Sequence, residues 1–245
     1  MSSLHSHSCE CMKSELDLFS LPPSQRSIEG SQWVHYKPVS SPTDDSPMEF
    51  VIPDQGNEYI DLAHTLLSVR FKLITPKKTA ENTSSAESVG PVSNLLHHMF
   101  NYLDVYFNQK PVSPPNNAYA YRAYIESLLN YGPAAKKSHF TSALWLGNIA
   151  GKMENITTQN QGLVDRRLIL GEGGKNALIG HLHSEVFNQD RFLLNGVELR
   201  VRLVRSKDAF CPMDPTNRAY LHILLAHAKA LSPVTAKYPL TKVEV

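Results

Sequence analysis

The chain has 245 residues, 42% of them hydrophobic and 19% charged, a balance that suits a globular core and argues against wholesale disorder. Twenty-four basic residues against 23 acidic ones leave a formal charge of +1, too little to suggest a domain built chiefly to neutralise phosphates. Three cysteines, Cys9, Cys11 and Cys211, cannot form a disulfide framework and suggest a reducing compartment. No basic segment followed by an apolar one opens the sequence, and no run approaches the ~18 apolar residues of a membrane span. The expectation is a protein that is neither secreted nor membrane-spanning, in which the sequons at Asn82 and Asn155 have no role.

Taken in chain order, residues 1–30 mix Ser, Pro, His and acidic groups without periodicity and read as a flexible N-terminal arm. From Trp33 onward, short apolar segments alternate with Pro, Asn, Asp and Gly. Trp33–Tyr36 and Met48–Ile52 have the texture of strands. Leu67, Val69, Phe71 and Leu73 alternate with Ser68, Arg70 and Lys72, the period of a half-buried strand. A polar loop follows from Lys77 to Ser88. Leu103, Val105 and Phe107 repeat the alternation, with a turn expected at Asn108–Pro111. Val197, Leu199, Val201 and Leu203 repeat it again, preceded by Asn195-Gly196, a favoured type I′ hairpin pair.

One helix is clear. Ala120, Ala123, Tyr124, Ser127 and Leu128 share a helical face, the run stops at Tyr131-Gly132-Pro133, and Asn116-Asn117 could cap it. Leu224 to Leu231 fits a second helix, while His222-Ile223-Leu224-Leu225 fits a buried strand equally well. Seven or eight strands, with one or two helices in long connections, imply a mainly β chain folded as a sandwich or jelly roll over residues 31–245.

Candidate chemistry is weak throughout. Gly171-Glu172-Gly173-Gly174-Lys175 lacks the features of a phosphate-binding Walker loop, because Ile169 and Asn176 stand where Gly and Ser or Thr are needed. His181 and His183 would share one face of an extended segment, as in the metal sites of cupins. Lys175 and Asn188 break that pattern, and backbone-satisfied histidines are the simpler reading. His5, His7, Cys9 and Cys11 alternate along the arm, a spacing that suits zinc poorly. No nucleophile elbow occurs, and Cys211 reads as a small buried side chain. Arg200, Arg202, Arg205 and Lys207 form the densest basic cluster, read as a solvated strand face in preference to a nucleic-acid contact. No catalytic, cofactor or metal residue is assigned, and no small-molecule substrate or specific nucleic acid is expected.

Five segments also resemble a known family in order. They are Tyr59-Ile60-Asp61-Leu62 with Thr65; Val89-Gly90-Pro91-Val92-Ser93-Asn94-Leu95-Leu96-His97; Tyr121-Arg122-Ala123-Tyr124-Ile125-Glu126-Ser127-Leu128-Leu129-Asn130-Tyr131-Gly132; Gln189–Val197; and Leu203–Phe210. Together they resemble the major capsid proteins of Polinton/Maverick-type DNA transposons and adintovirus-like elements. The resemblance implies a double jelly-roll protomer that self-associates as a trimer and joins other capsid subunits in a shell. It implies a place in a virion or inside the cell, and no enzymatic role. Loops such as Lys77–Ser88 and Pro133–Asn160 would supply subunit contacts. Only the first barrel would be present. The stretch from Cys211 to His227 looks short for the family, which implies a barrel lacking strand material, as in a degraded transposon-derived copy. The alternatives are a single jelly-roll penton protein, a cupin-like metal-binding protein, and a host-adopted binding module that no longer assembles.

Overall fold

The computed structural model describes residues 28–41, 46–54, 56, 58–75, 89–113, 118–156, 158–171, 174–214 and 218–235. The His/Cys arm, the polar loop Lys77–Ser88 and Asn116-Asn117 lie outside them.

The strands are β1 (Ile28–Tyr36), β2 (Met48–Ile52), β3 (Asp61–Ile74), β4 (Gly90–Pro91), β5 (Phe100–Phe107), β6 (Lys110–Pro111), β7 (Lys175–His181), β8 (Leu199–Arg205), β9 (Pro212–Met213) and β10 (Tyr220–Thr235). Leaving aside the small β4–β9 pair, they associate first with last: β1 with β10, β2 with β8, β3 with β7, β5 with β6, all antiparallel. Nested pairing of this kind results when one long hairpin of strands is rolled up. Two further pairings, β10 with β3 and β5 with β8, complete two four-stranded sheets ordered β1-β10-β3-β7 and β2-β8-β5-β6. The chain is therefore mainly β, with 41% strand and 25% helix, and its architecture is a jelly roll.

Alternation places the core between the sheets. Leu67, Val69, Phe71 and Leu73 of β3 face inward with Met48, Phe50 and Ile52 of β2, Leu103 and Val105 of β5, and Leu199, Val201 and Leu203 of β8. At ~1.5–3 kcal/mol for each large side chain removed from water, this interior is the main source of stability.

β10 explains the ambiguity of its own sequence. Leu221 and Ile223 are buried, then the parity flips and Ala226, Ala228 and Ala230 are buried instead. The flip coincides with a register shift against β3 between Ile223 and Leu225, a bulge whose extra residue resets the alternation. The resulting run His222-Ile223-Leu224-Leu225 matches neither period cleanly. Its position also answers the expectation of a missing strand between Cys211 and His227: that stretch contains β9 and the start of β10, which lies centrally in its sheet.

Among the described residues four α-helices fill the connections: α1 (Leu95–His98), α2 (Tyr119–Asn130), α3 (Pro133–Lys137) and α4 (Gln161–Leu170), with 3₁₀ turns at His139–Ala143, Glu185–Asn188 and Asp208–Phe210. The helical content exceeds the one or two helices expected, because Pro133–Asn160 is partly helical. α2 ends at Tyr131, which turns extended, and Gly132-Pro133 opens α3 with proline in its first turn. β1 begins at Ile28, inside the segment assigned to the arm. Asn108 and Gln109 turn β5 into β6 with positive φ at both, as expected there. Asn195-Gly196 does not close a hairpin. Of the two only Gly196 has positive φ, and the following β8 pairs with β2 and β5.

Candidate functional site

The histidines flagged in the sequence lie in a buried cluster at the end of β7. His181 donates from Nε2 to the Phe187 carbonyl at 3.0 Å, and His183 from Nδ1 to Glu126 Oε2 at 3.0 Å. His97, at the C-terminal end of α1, packs edge-on against His183 with ring centroids 4.5 Å apart, and its Nδ1 lies 3.0 Å from the Tyr119 hydroxyl. The Tyr119 oxygen in turn accepts the backbone N–H of His183 at 3.5 Å. Glu126 is also held by Arg122 Nε at 2.6 Å, one helical turn away. The cluster thus pins α1, α2 and β7 together.

Its electrostatics follow from burial. Burial drives His97 well below the ordinary imidazole value, helped by the neighbouring His183, His98 and His181. His181 is lowered by burial too, partly offset by its bond to Phe187. Burial raises the Tyr119 phenol. It also acts to raise Glu126, but hydrogen bonds from His183 and Arg122 outweigh it and hold that carboxyl below its usual range. His181 and His183 therefore satisfy backbone and carboxylate partners, and among the described residues no three His, Cys, Asp or Glu side chains are grouped to hold a metal.

The other candidates have structural explanations. Gly171 ends α4 at φ 60, and Asn176, at the start of β7, donates to the Leu170 and Gly174 carbonyls; Glu172 and Gly173 lie outside the described residues. The Cys211 thiol is buried, donates to the His98 carbonyl, and is pushed up to about 12 by burial, the reverse of an activated nucleophile. The basic cluster is largely neutralised. Arg200 pairs with Glu49 and Glu198, Arg202 lies 4.0 Å from Asp104, and Arg205 lies 3.6 Å from Asp208.

The surface feature of note is on α2. Tyr119, Ala120, Ala123 and Ser127 face the protein, while Tyr121, Ile125, Leu128 and Leu129 face outward at 59%, 52%, 48% and 75% exposure. Their i, i+4, i+7, i+8 spacing makes a second apolar stripe, opposite the buried one. That period is present in the sequence, but the helical face expected from it includes Leu128, which the structure turns outward. Leu168 and Ile169 at the end of α4 are also exposed. The association of His97, Tyr119 and Glu126 with His183 had no sequence signal, since these residues lie 57 or more positions from His183. Among the described residues no helix is long and apolar enough to cross a membrane.

The fold defines a single jelly roll, and comparison with known proteins extends this. No family model matches the chain. "Uncharacterized protein F54H12.2" of Caenorhabditis elegans is 24% identical over 195 residues, covering 78% of this chain and 45% of that protein. Among solved structures, a chain of the Sputnik virophage determined by cryo-EM superposes with a TM-score of 0.58 at 10% identity, covering 100% of this chain and 55% of that one. The crystal structure of mavirus major capsid protein gives a TM-score of 0.46 at 14% identity over 92% of this chain and 50% of that one. The chain spans about half the length of the proteins it matches. The Sputnik superposition supports the fold, and both viral chains extend well beyond it.

Proposed function

We propose that this chain is a structural protein of the capsid kind, the first of two jelly rolls in a transposon- or virus-derived subunit, acting by self-association and not by catalysis. The observation that carries this reading is a complete nested jelly roll, alike in fold to a virophage chain, that displays an apolar helical stripe on its outside. Exposed apolar surface of this extent is expected to be covered by protein, and symmetric self-association is the common way. In this reading α2 and the end of α4 meet neighbouring subunits, and the subunit is a homotrimer that joins others in a virion-like shell inside the cell. The raised Cys211 thiol and the internally bonded histidines accord with a molecule that performs no chemistry.

Light scattering after size exclusion tests it. A discrete trimer is expected. A pentamer would instead favour a single-barrel vertex protein, and a monomer at high concentration would overturn self-association by this chain.

A further inference from the structure

A cavity of about 510 Å³ opens beside β7, a size at which ligand pockets are common. Its wall is mainly apolar, with Leu66, Phe140 and Ile179, while His97, His181 and His183 bring imidazoles to the same space. The hydrogen bonds of these rings leave one nitrogen of each without a partner among the described residues: Nε2 of His97, Nδ1 of His181 and Nε2 of His183. His97 is the sharpest case. Its side chain is 1% exposed, and Nε2 stands 3.4 Å from where a Cβ on Gly180 would lie, so the bare face of that glycine leaves the nitrogen uncovered. The Tyr119 oxygen that accepts the His183 N–H can accept a second bond, so the contact with His97 Nδ1 runs in either direction and Nε2 is a donor or an acceptor according to the tautomer. An apolar cavity with a few convergent polar atoms has the character of a binding site.

We propose that this cavity binds an unbranched aliphatic molecule with one oxygen-bearing head, its chain lying against Leu66, Phe140 and Ile179 and its head hydrogen-bonded to His97 Nε2. At roughly 30 Å³ for each water-sized group, the space holds on the order of seventeen heavy atoms. Medium-chain alcohols and fatty acids share this chemistry. The site is independent of assembly, since a monomer would carry it as well as a trimer.

Isothermal titration of the purified chain with octan-1-ol and, separately, with octanoate tests it, with circular dichroism as the check on folding. One site per chain is expected for at least one probe, and the tighter of the two identifies the head. His97→Phe is expected to weaken the tighter probe by roughly tenfold, the worth of one hydrogen bond to a buried group. Ile179→Trp, which fills the space and leaves the histidines in place, is expected to abolish binding. The proposal is overturned if neither probe binds saturably to the wild type. It is equally overturned if binding survives Ile179→Trp, or if a folded His97→Phe variant binds as tightly as the wild type.

Discussion

Arg166 on α4 is fully buried, yet its hydrogen bonds run to neutral acceptors: the Pro91 carbonyl at 2.8 Å, the Leu146 carbonyl at 2.6 Å and Asn148 Oδ1 at 2.8 Å. Burial brings it down to about 10, so it stays charged at neutral pH. It ties α4 to β4 and to the connection after α3, a task a planar five-donor group performs better than an ammonium. Arg166→Met fills similar space but strands three acceptors. A loss of about 3–5 kcal/mol is expected in urea unfolding. Gly162, in the first turn of the same helix, has no room for a methyl, because a Cβ there would run into the backbone carbonyl of Gly147. Backbone cannot yield as a side chain can, so Gly162→Ala is expected to cost at least about 2 kcal/mol in the same assay. Neither residue stood out in the sequence, where Arg166 is one of a pair with Arg167 and Gly162 is one of 12 glycines.

Between elements, the histidine cluster makes stability depend on pH. His97, His98 and His181 are each held below the ordinary imidazole value, chiefly by burial. The groups facing them are Tyr119, Arg122 and Glu126 from α2, His183 after β7, and His64 from β3. A group with a depressed folded pKa takes up its proton more readily when unfolded, so its stability contribution is present above about 6.5 and declines as the pH falls below it. With three such groups the slope reaches at most about 4 kcal/mol per pH unit. Urea midpoints are therefore expected to fall between pH 7.5 and pH 5.5, and His97→Gln to flatten the profile by about one proton. The Glu126 carboxyl is likewise held below its usual range, by His183 and Arg122, and adds a further loss as the pH falls through the carboxylate range. The elements differ in how openly the sequence shows them. β3 alternates from Thr65 onward, β5 from Leu103 and β8 from Leu199, so these stretches could be read directly. β10 could not, because its bulge breaks the period. α1, with its four residues, and α3, with five, are too short to show a helical face.

For the whole molecule, the two-sided apolarity of α2 is what remains to be covered. If that stripe is a subunit contact, Ile125→Glu with Leu129→Glu should leave the fold intact, since both side chains are exposed, and weaken association by at least roughly tenfold per buried side chain. A concentration series in light scattering would show the change, with the double variant monomeric where the wild type is trimeric. The jelly-roll class was legible because many short alternating strands leave few architectures. The strand order was not, because pairing partners lie far apart in the chain and no local pattern records them.

That order has a consequence for how the molecule is made. β1 and β3 are not neighbours; β10 lies between them and pairs with both. Until almost all of these strands have left the ribosome, β1 has no partner, and the slot beside β3 stands open with backbone groups exposed. Closing so many distant contacts is slow, and an unfilled slot between two strands invites a strand from another chain. This barrel is therefore most exposed to misassembly before β10 arrives, and a chaperone that shields β1 and β3 during synthesis would act at its weakest moment.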